Sequence, residues 1–113
     1  MNELNQNTWD DQHDAVNAAP NSHKILFENE KVRVVEVVVK PGQKEPMHHH
    51  KWPGVMVIDR PTNLKYYDEN NVLDIVNTKN TTKVEWMDPE PMHAVENTDN
   101  NEEYHAIRVE IKQ

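Results

Sequence analysis

Residues 32–39 read Val-Arg-Val-Val-Glu-Val-Val-Val, six valines in eight positions. Branching at Cβ restricts χ1, disfavours helix and suits a pleated strand, so this stretch commits the chain to β-structure. Arg33, Val35, Val37 and Val39 share one face, and Val32, Val34, Glu36 and Val38 the other. Apolar residues on both faces predict cover on both sides, with Arg33 and Glu36 as charges that need partners. Further short strands are predicted at 25–27, 55–58, 64–67, 72–76, 83–87, 93–97 and 104–111. They are separated by turn-forming runs such as Glu28-Asn-Glu-Lys31, Pro41-Gly42, Asp59-Arg-Pro61 and Asp68-Glu-Asn-Asn71. The last strand alternates cleanly, with His105, Ile107, Val109 and Ile111 on one face and Tyr104, Ala106, Arg108 and Glu110 on the other. With no helical pattern of ten residues and no internal repeat, the expectation is all-β: an antiparallel sandwich or barrel.

At 113 residues the chain makes one domain with room for one core. Residues 1–21 are polar, with Leu4, Trp9 and Val16 as isolated apolar points, and read as a flexible arm that Trp9 could tack down. Residues 22–113 form the folded domain. A formal charge of -8 makes nucleic acid and anionic membrane poor partners. The lack of cysteine excludes disulfides, thiolate ligands and a thiol nucleophile. No apolar run reaches membrane-spanning length and no leader pattern is visible, so a cytoplasmic protein is expected. Small size and a strand apolar on both faces predict a homodimer. There is no glycine-rich phosphate loop, no serine nucleophile elbow and no basic aromatic stripe.

The chemistry concentrates at Pro41-Gly-Gln-Lys-Glu-Pro-Met-His-His-His50. On a strand, His48 and His50 project to one face about 7 Å apart at Cα, and His49 to the other. Two imidazoles on one face can converge on an ion at about 2.1 Å from each nitrogen. His93, after a proline-rich bend, is the best-placed third ligand. The alternative is a solvated turn of three histidines without a ligand role. His13 and His23 read as ordinary surface residues. Trp52, Met56, Trp86, Met92 and Tyr104 read as core or rim packing, with Met47, Met92 and Trp86 near enough in sequence to line a pocket.

Gly42-x5-His48-x-His50 resembles the first motif of the cupin superfamily, and His93-x3-Asn97 resembles the end of its second motif. The resemblance spans residues 25–111 and implies a small antiparallel jelly-roll-like cupin barrel. It implies that His48, His50 and His93 hold a divalent transition metal (Fe, Zn, Ni or Mn) and that Asn97 is structural. The glutamate ligand usual after the second histidine is missing, with Gly54 or Val55 in its place. Arg60-Pro61 stands where a glycine closes the first motif, and the second motif lacks its glycine. The three-histidine set is similar to that of the thiol dioxygenases. Three neutral imidazoles leave the charge of the ion uncompensated, which favours water, hydroxide or an anionic chelating ligand. The implied function is a metal-dependent oxygenase, isomerase or lyase acting on a small polar or anionic molecule. A non-catalytic metal or small-ligand binding module and a vestigial site are the alternatives. Around the ion, His105, Trp52, Met92 and Asn97 are candidates to support the ligands or line the cavity. His105 could also ligate, if its strand face is interior.

Overall fold

The computed structural model describes residues 9–77 and 83–112. Among the described residues, nine strands follow a short N-terminal segment: β1 (His23–Glu28), β2 (Val32–Val39), β3 (His48–His50), β4 (Gly54–Arg60), β5 (Leu64–Tyr67), β6 (Leu73–Asn77), β7 (Lys83–Met87), β8 (Glu90–Asn97) and β9 (Tyr104–Ile111). They form two antiparallel sheets, in the orders β1-β2-β9-β4-β7 and β3-β8-β5-β6. This is the jelly-roll-like barrel expected. The predicted strands are present; β1, β4 and β8 extend beyond their apolar runs, because backbone pairing continues through polar ends. No helix among the described residues is long and apolar enough to cross a membrane.

Between the sheets lies a core of Val35, Val37, Val39, Ile58, Leu64, Val95, Tyr104 and Ala106. On β2 the inward face is the row of Arg33, Val35, Val37 and Val39, while Val32, Val34, Glu36 and Val38 are half-exposed. The cover predicted for both faces is therefore one-sided. On β9 the inward row is Tyr104, Ala106, Arg108 and Glu110. Two charged residues thus occupy interior positions while Ile107 and Val109 face outward. Pairing makes this tolerable: Arg33 Nε bonds Glu110 Oε1 at 2.5 Å, Arg33 Nη2 lies 3.0 Å from Asp14 Oδ2, and Arg108 Nη1 bonds Glu90 Oε1 at 2.8 Å.

The N-terminal segment departs from the flexible arm expected. From Trp9 onward it packs on the body through a 3-10 turn (Asp11–His13) and one turn of helix, α1 (Ala15–Ala18), with Asp14, Ala15 and Ala19 buried. Asp14 pairs with His49 as an isolated bridge, and the Trp9 ring sits 5.1 Å from the His49 ring. Residues 1–8, and Leu4 with them, lie outside the described residues.

Gly42 takes φ +75° in the turn after β2, a backbone conformation that favours glycine. Its N–H donates to Asn97 O at 2.9 Å, and the N–H of Glu45 donates to Val95 O at 2.9 Å. These bonds lay residues 42–45 beside β8 and deliver β3 to the strand that carries His93. Asn97 is fully buried and donates to Val39 O and Glu102 O, each at 2.9 Å, so it ties the end of β2 to the approach to β9.

Candidate metal centre

β3 and β8 pair with His48 opposite His93 and His50 opposite Glu90, with an irregularity between the two pairs. That bulge sets two positions on β3 against three on β8, so Glu90 and His93 both reach the interior despite odd spacing. The result is a packed group of rings. Centroids lie 4.5 Å apart for His48–His93, 5.0 Å for His48–His50 and 5.3 Å for His50–His93. A fourth imidazole joins them: His23, from the start of β1, lies 4.9 Å from His48 and 5.4 Å from His50. Expected on the surface, His23 is buried, because residues 9–22 fold over it. His93 was expected to lead a strand after a bend. It lies instead within β8, which begins at Glu90 and takes Pro91 into the strand.

Backbone carbonyls hold three of the rings. His48 Nδ1 is 2.8 Å from Pro46 O, His93 Nδ1 is 2.7 Å from Pro91 O, and His23 Nδ1 is 3.2 Å from Ala19 O. A carbonyl only accepts, so each Nδ1 carries the proton and each Nε2 keeps a lone pair for an ion. His50 Nδ1 has no hydrogen-bond partner among the described residues and lies 3.8 Å from Glu110 Oε2. Two sets offer ligand atoms within 4.8 Å of one another: His23, His48 and His50, and His50, Glu90 and His93. Both can coordinate a divalent metal. Burial keeps the imidazoles unprotonated, pushing His23 down to about 4, His48 to about 2 and His50 well below its ordinary value. The positive charge of Arg108 acts in the same direction on all three. Neutral, tautomer-fixed and converging nitrogens are the donor set a transition metal requires.

The usual glutamate position has a steric explanation. A Cβ at Gly54 would stand 1.9 Å from Val109 O, so no side chain fits where β4 crosses β9. Carboxyl groups arrive from elsewhere. Glu90 Oε2 is 3.8 Å from His93 Nε2, and Glu45 Oε1 is 3.9 Å from His48 Nε2. Burial raises Glu45 to about 7, against the bond it accepts from Ser22 Oγ at 2.6 Å. Its 3.4 Å contact with His23 is accordingly one between neutral groups below that pH. The sequence does hold a signal for both carboxyls. Glu-Pro-Met-His occurs at 45–48 and again at 90–93, a recurrence that qualifies the absence of repeats.

The remaining candidates are dispersed. His105 lies on the outer face of β9 between Asp59 Oδ1 (2.5 Å) and Glu36 Oε2 (2.8 Å), so it neither ligates nor lines the cavity. Trp52 packs outside it, with the Arg33 guanidinium 4.8 Å from its ring centroid. Met92 lines an outer vestibule with Tyr66, Trp86 and His93. His49 turns away from the other rings but is buried, its Nε2 2.6 Å from Asp10 O. Met56 and Tyr104 line the inner cavity of about 40 Å³ beside the histidines.

Solved structures superpose on this architecture. A cupin domain from Bordetella pertussis Tohama I aligns over 80% of this chain and 92% of its own, with TM-score 0.69 and 21% identity. The fold is that of the small single-domain cupins. An uncharacterised protein with a double-stranded β-helix domain from Klebsiella pneumoniae aligns over 77% of this chain and 72% of its own (TM-score 0.56, 20% identity). An RmlC-like cupin from Methanocaldococcus jannaschii aligns over 79% and 77% (TM-score 0.54, 12% identity). No family model matches the sequence, and no curated protein sequence does. The histidine group lies between the two sheets, and among the carboxyls near it only Glu90 belongs to a set of converging ligand atoms.

Proposed function

We propose that this cupin binds one divalent transition metal (Fe, Zn, Ni or Mn) through His48, His50 and His93. The loaded site would act on a small polar or anionic molecule as an oxygenase, isomerase or lyase. One observation carries the reading: His48 and His93 give their Nδ1 protons to the carbonyls of Pro46 and Pro91, which leaves both Nε2 atoms for an ion. The metal would supply Lewis acidity or oxygen activation. The chain's own part is to keep His48 and His50 neutral, exclude water with Val37, Val39, Leu64 and Val95, and set carboxyls beside the ligands.

A non-catalytic binding module is the second reading, and His23 favours it. Four imidazoles would close a tetrahedral shell and leave no open position for chemistry. Metal analysis of untagged protein, with zinc titration of His23→Ala, His48→Ala and His93→Ala, separates the readings. Loss of the ion in the His48 and His93 variants, with retention in His23→Ala, supports the open site. Loss in all three supports the closed one. An ion that survives every substitution defeats both.

Assembly as a homodimer belongs to the same proposal. β1 is an edge strand whose Ile25, Leu26 and Phe27 are exposed, an apolar row that a second copy would cover.

A further inference from the structure

The inner cavity of about 40 Å³ has room for an ion and a little water but not for an organic molecule. The body of a substrate that reaches the ion therefore lies outside it. The vestibule is the adjoining space. It holds about 360 Å³, a size usual for small-molecule sites, and shares Tyr66, Met87, Glu90 and His93 with the inner cavity. The centre opens on this side: the His93 and Glu90 side chains are 14% and 25% exposed, where those of His48 and His50 are 1% and 5%.

Two features of the vestibule wall select a ligand. One is aromatic. Trp86, on the edge strand β7, is 58% exposed, and its Nε1 donates to Asp88 Oδ1 at 3.0 Å, which holds the indole in place. The other is charge. Asp68, Asp74, Asp88 and Glu90 line the vestibule, and among the described residues no lysine or arginine does. Asp74 arrives through a bulge: Tyr66 pairs with Ile75 but Tyr67 with Leu73, so the extra residue on β6 lets Asp74 and Ile75 line the same space. Arg108 pairs with Glu90 from the inner side, while Asp68, Asp74 and Asp88 have no cationic partner among the described residues. Carboxylates beside an aromatic wall attract an ammonium group and repel a carboxylate or phosphate. Tyr67 already shows this chemistry, with Lys44 Nζ 3.8 Å from its ring centroid.

We propose that the vestibule takes an organic ammonium ion, a small amine whose charged group sits among Asp74, Asp88 and Trp86 and whose carbon skeleton runs over Tyr66 and Met92 toward His93. As a substrate site it rests on the metal-binding reading, whose substrate class it narrows from polar or anionic to cationic.

The test titrates metal-free and zinc-loaded protein at pH 7 with 2-phenylethylammonium, 2-phenylethanol and 3-phenylpropionate, which share a ring and differ in charge. Binding is read by calorimetry and by the Trp86 indole N–H cross-peak in ¹H–¹⁵N spectra, assigned by its loss in Trp86→Leu. The ammonium compound should shift that cross-peak and bind at least tenfold more tightly than the alcohol, with the carboxylate weakest. Asp74→Asn combined with Asp88→Asn removes two charges, keeps an acceptor for Trp86 Nε1, and should bring the ammonium compound within threefold of the alcohol. Equal affinity for these two compounds in the native protein overturns the proposal, as does an unshifted Trp86 signal or an undiminished preference in the folded double variant. Ammonium preference in a protein that takes up no zinc leaves the vestibule assignment standing and removes the metal reading. Zinc uptake without that preference does the reverse.

Discussion

Burial of a neutral imidazole at His23 predicts a pH-dependent loss of stability. The group falls from 6.5 to about 4 on folding, worth about 3 kcal/mol over the full transition. A depressed histidine is protonated first in the unfolded chain. Stability is therefore whole above pH 6.5 and falls as pH drops toward 4, with about 2 kcal/mol lost by pH 5. Glu45 opposes this. Its carboxyl is raised to about 7, so the folded state binds the extra proton, and stability from this group grows by about 2 kcal/mol between pH 7 and pH 5. These two nearly offset each other, but His48 and His50 are depressed as well and lose stability in the same direction as His23, so an acid titration of the native protein alone does not isolate His23. The informative perturbation is His23→Leu, with urea unfolding of both metal-free proteins at pH 7, 6 and 5. The stability difference, native minus variant, should shrink by about 2 kcal/mol from pH 7 to pH 5. A difference independent of pH would show that His23 is not a buried neutral imidazole, and the histidine group would need rebuilding.

Four further outcomes follow from the geometry. Gly54→Ala forces a Cβ into Val109 O, so urea unfolding should show a loss of more than about 3 kcal/mol; a loss under 1 kcal/mol would mean β4 and β9 are not so close. His105→Gln should leave zinc affinity within threefold of native, since the ring lies outside the barrel. In the native protein the His105 ring should titrate above its ordinary value, held up first by Asp59 and then by Glu36, and a depressed titration by NMR would place it inside instead. Phe27→Lys should convert a dimer to monomer in light scattering after size exclusion; a native protein that is already monomeric rejects the dimer.

The β-architecture was readable because valine density and turn residues act locally. Strand faces were less so. On β9 the apolar row of Ile107, Val109 and Ile111 points outward, while Arg108 and Glu110 lie inside, because the interior supplies them with Glu90 and Arg33. Such pairing joins residues far apart in sequence, and no local pattern reports it. Spacing brought out His48, His50 and His93, whose rings lie 4.5–5.3 Å apart, although the three together form neither set of converging ligand atoms. His23 escaped notice because its burial depends on a segment that reads as disordered, and only folding shows Asp14, Ala15 and Ala19 docked beside it. Glu45 and Glu90 were legible in principle, since the same four residues, Glu-Pro-Met-His, lead into β3 and open β8.

X-ray absorption at the metal edge of zinc-loaded, untagged protein examines the centre most directly. Three or four imidazoles at about 2.0–2.1 Å should give the outer-shell scattering of histidine rings, diminished by one ring in His93→Ala. A spectrum of water and carboxylate oxygens alone, unchanged by that substitution, would mean that these rings pack together for some purpose other than holding an ion.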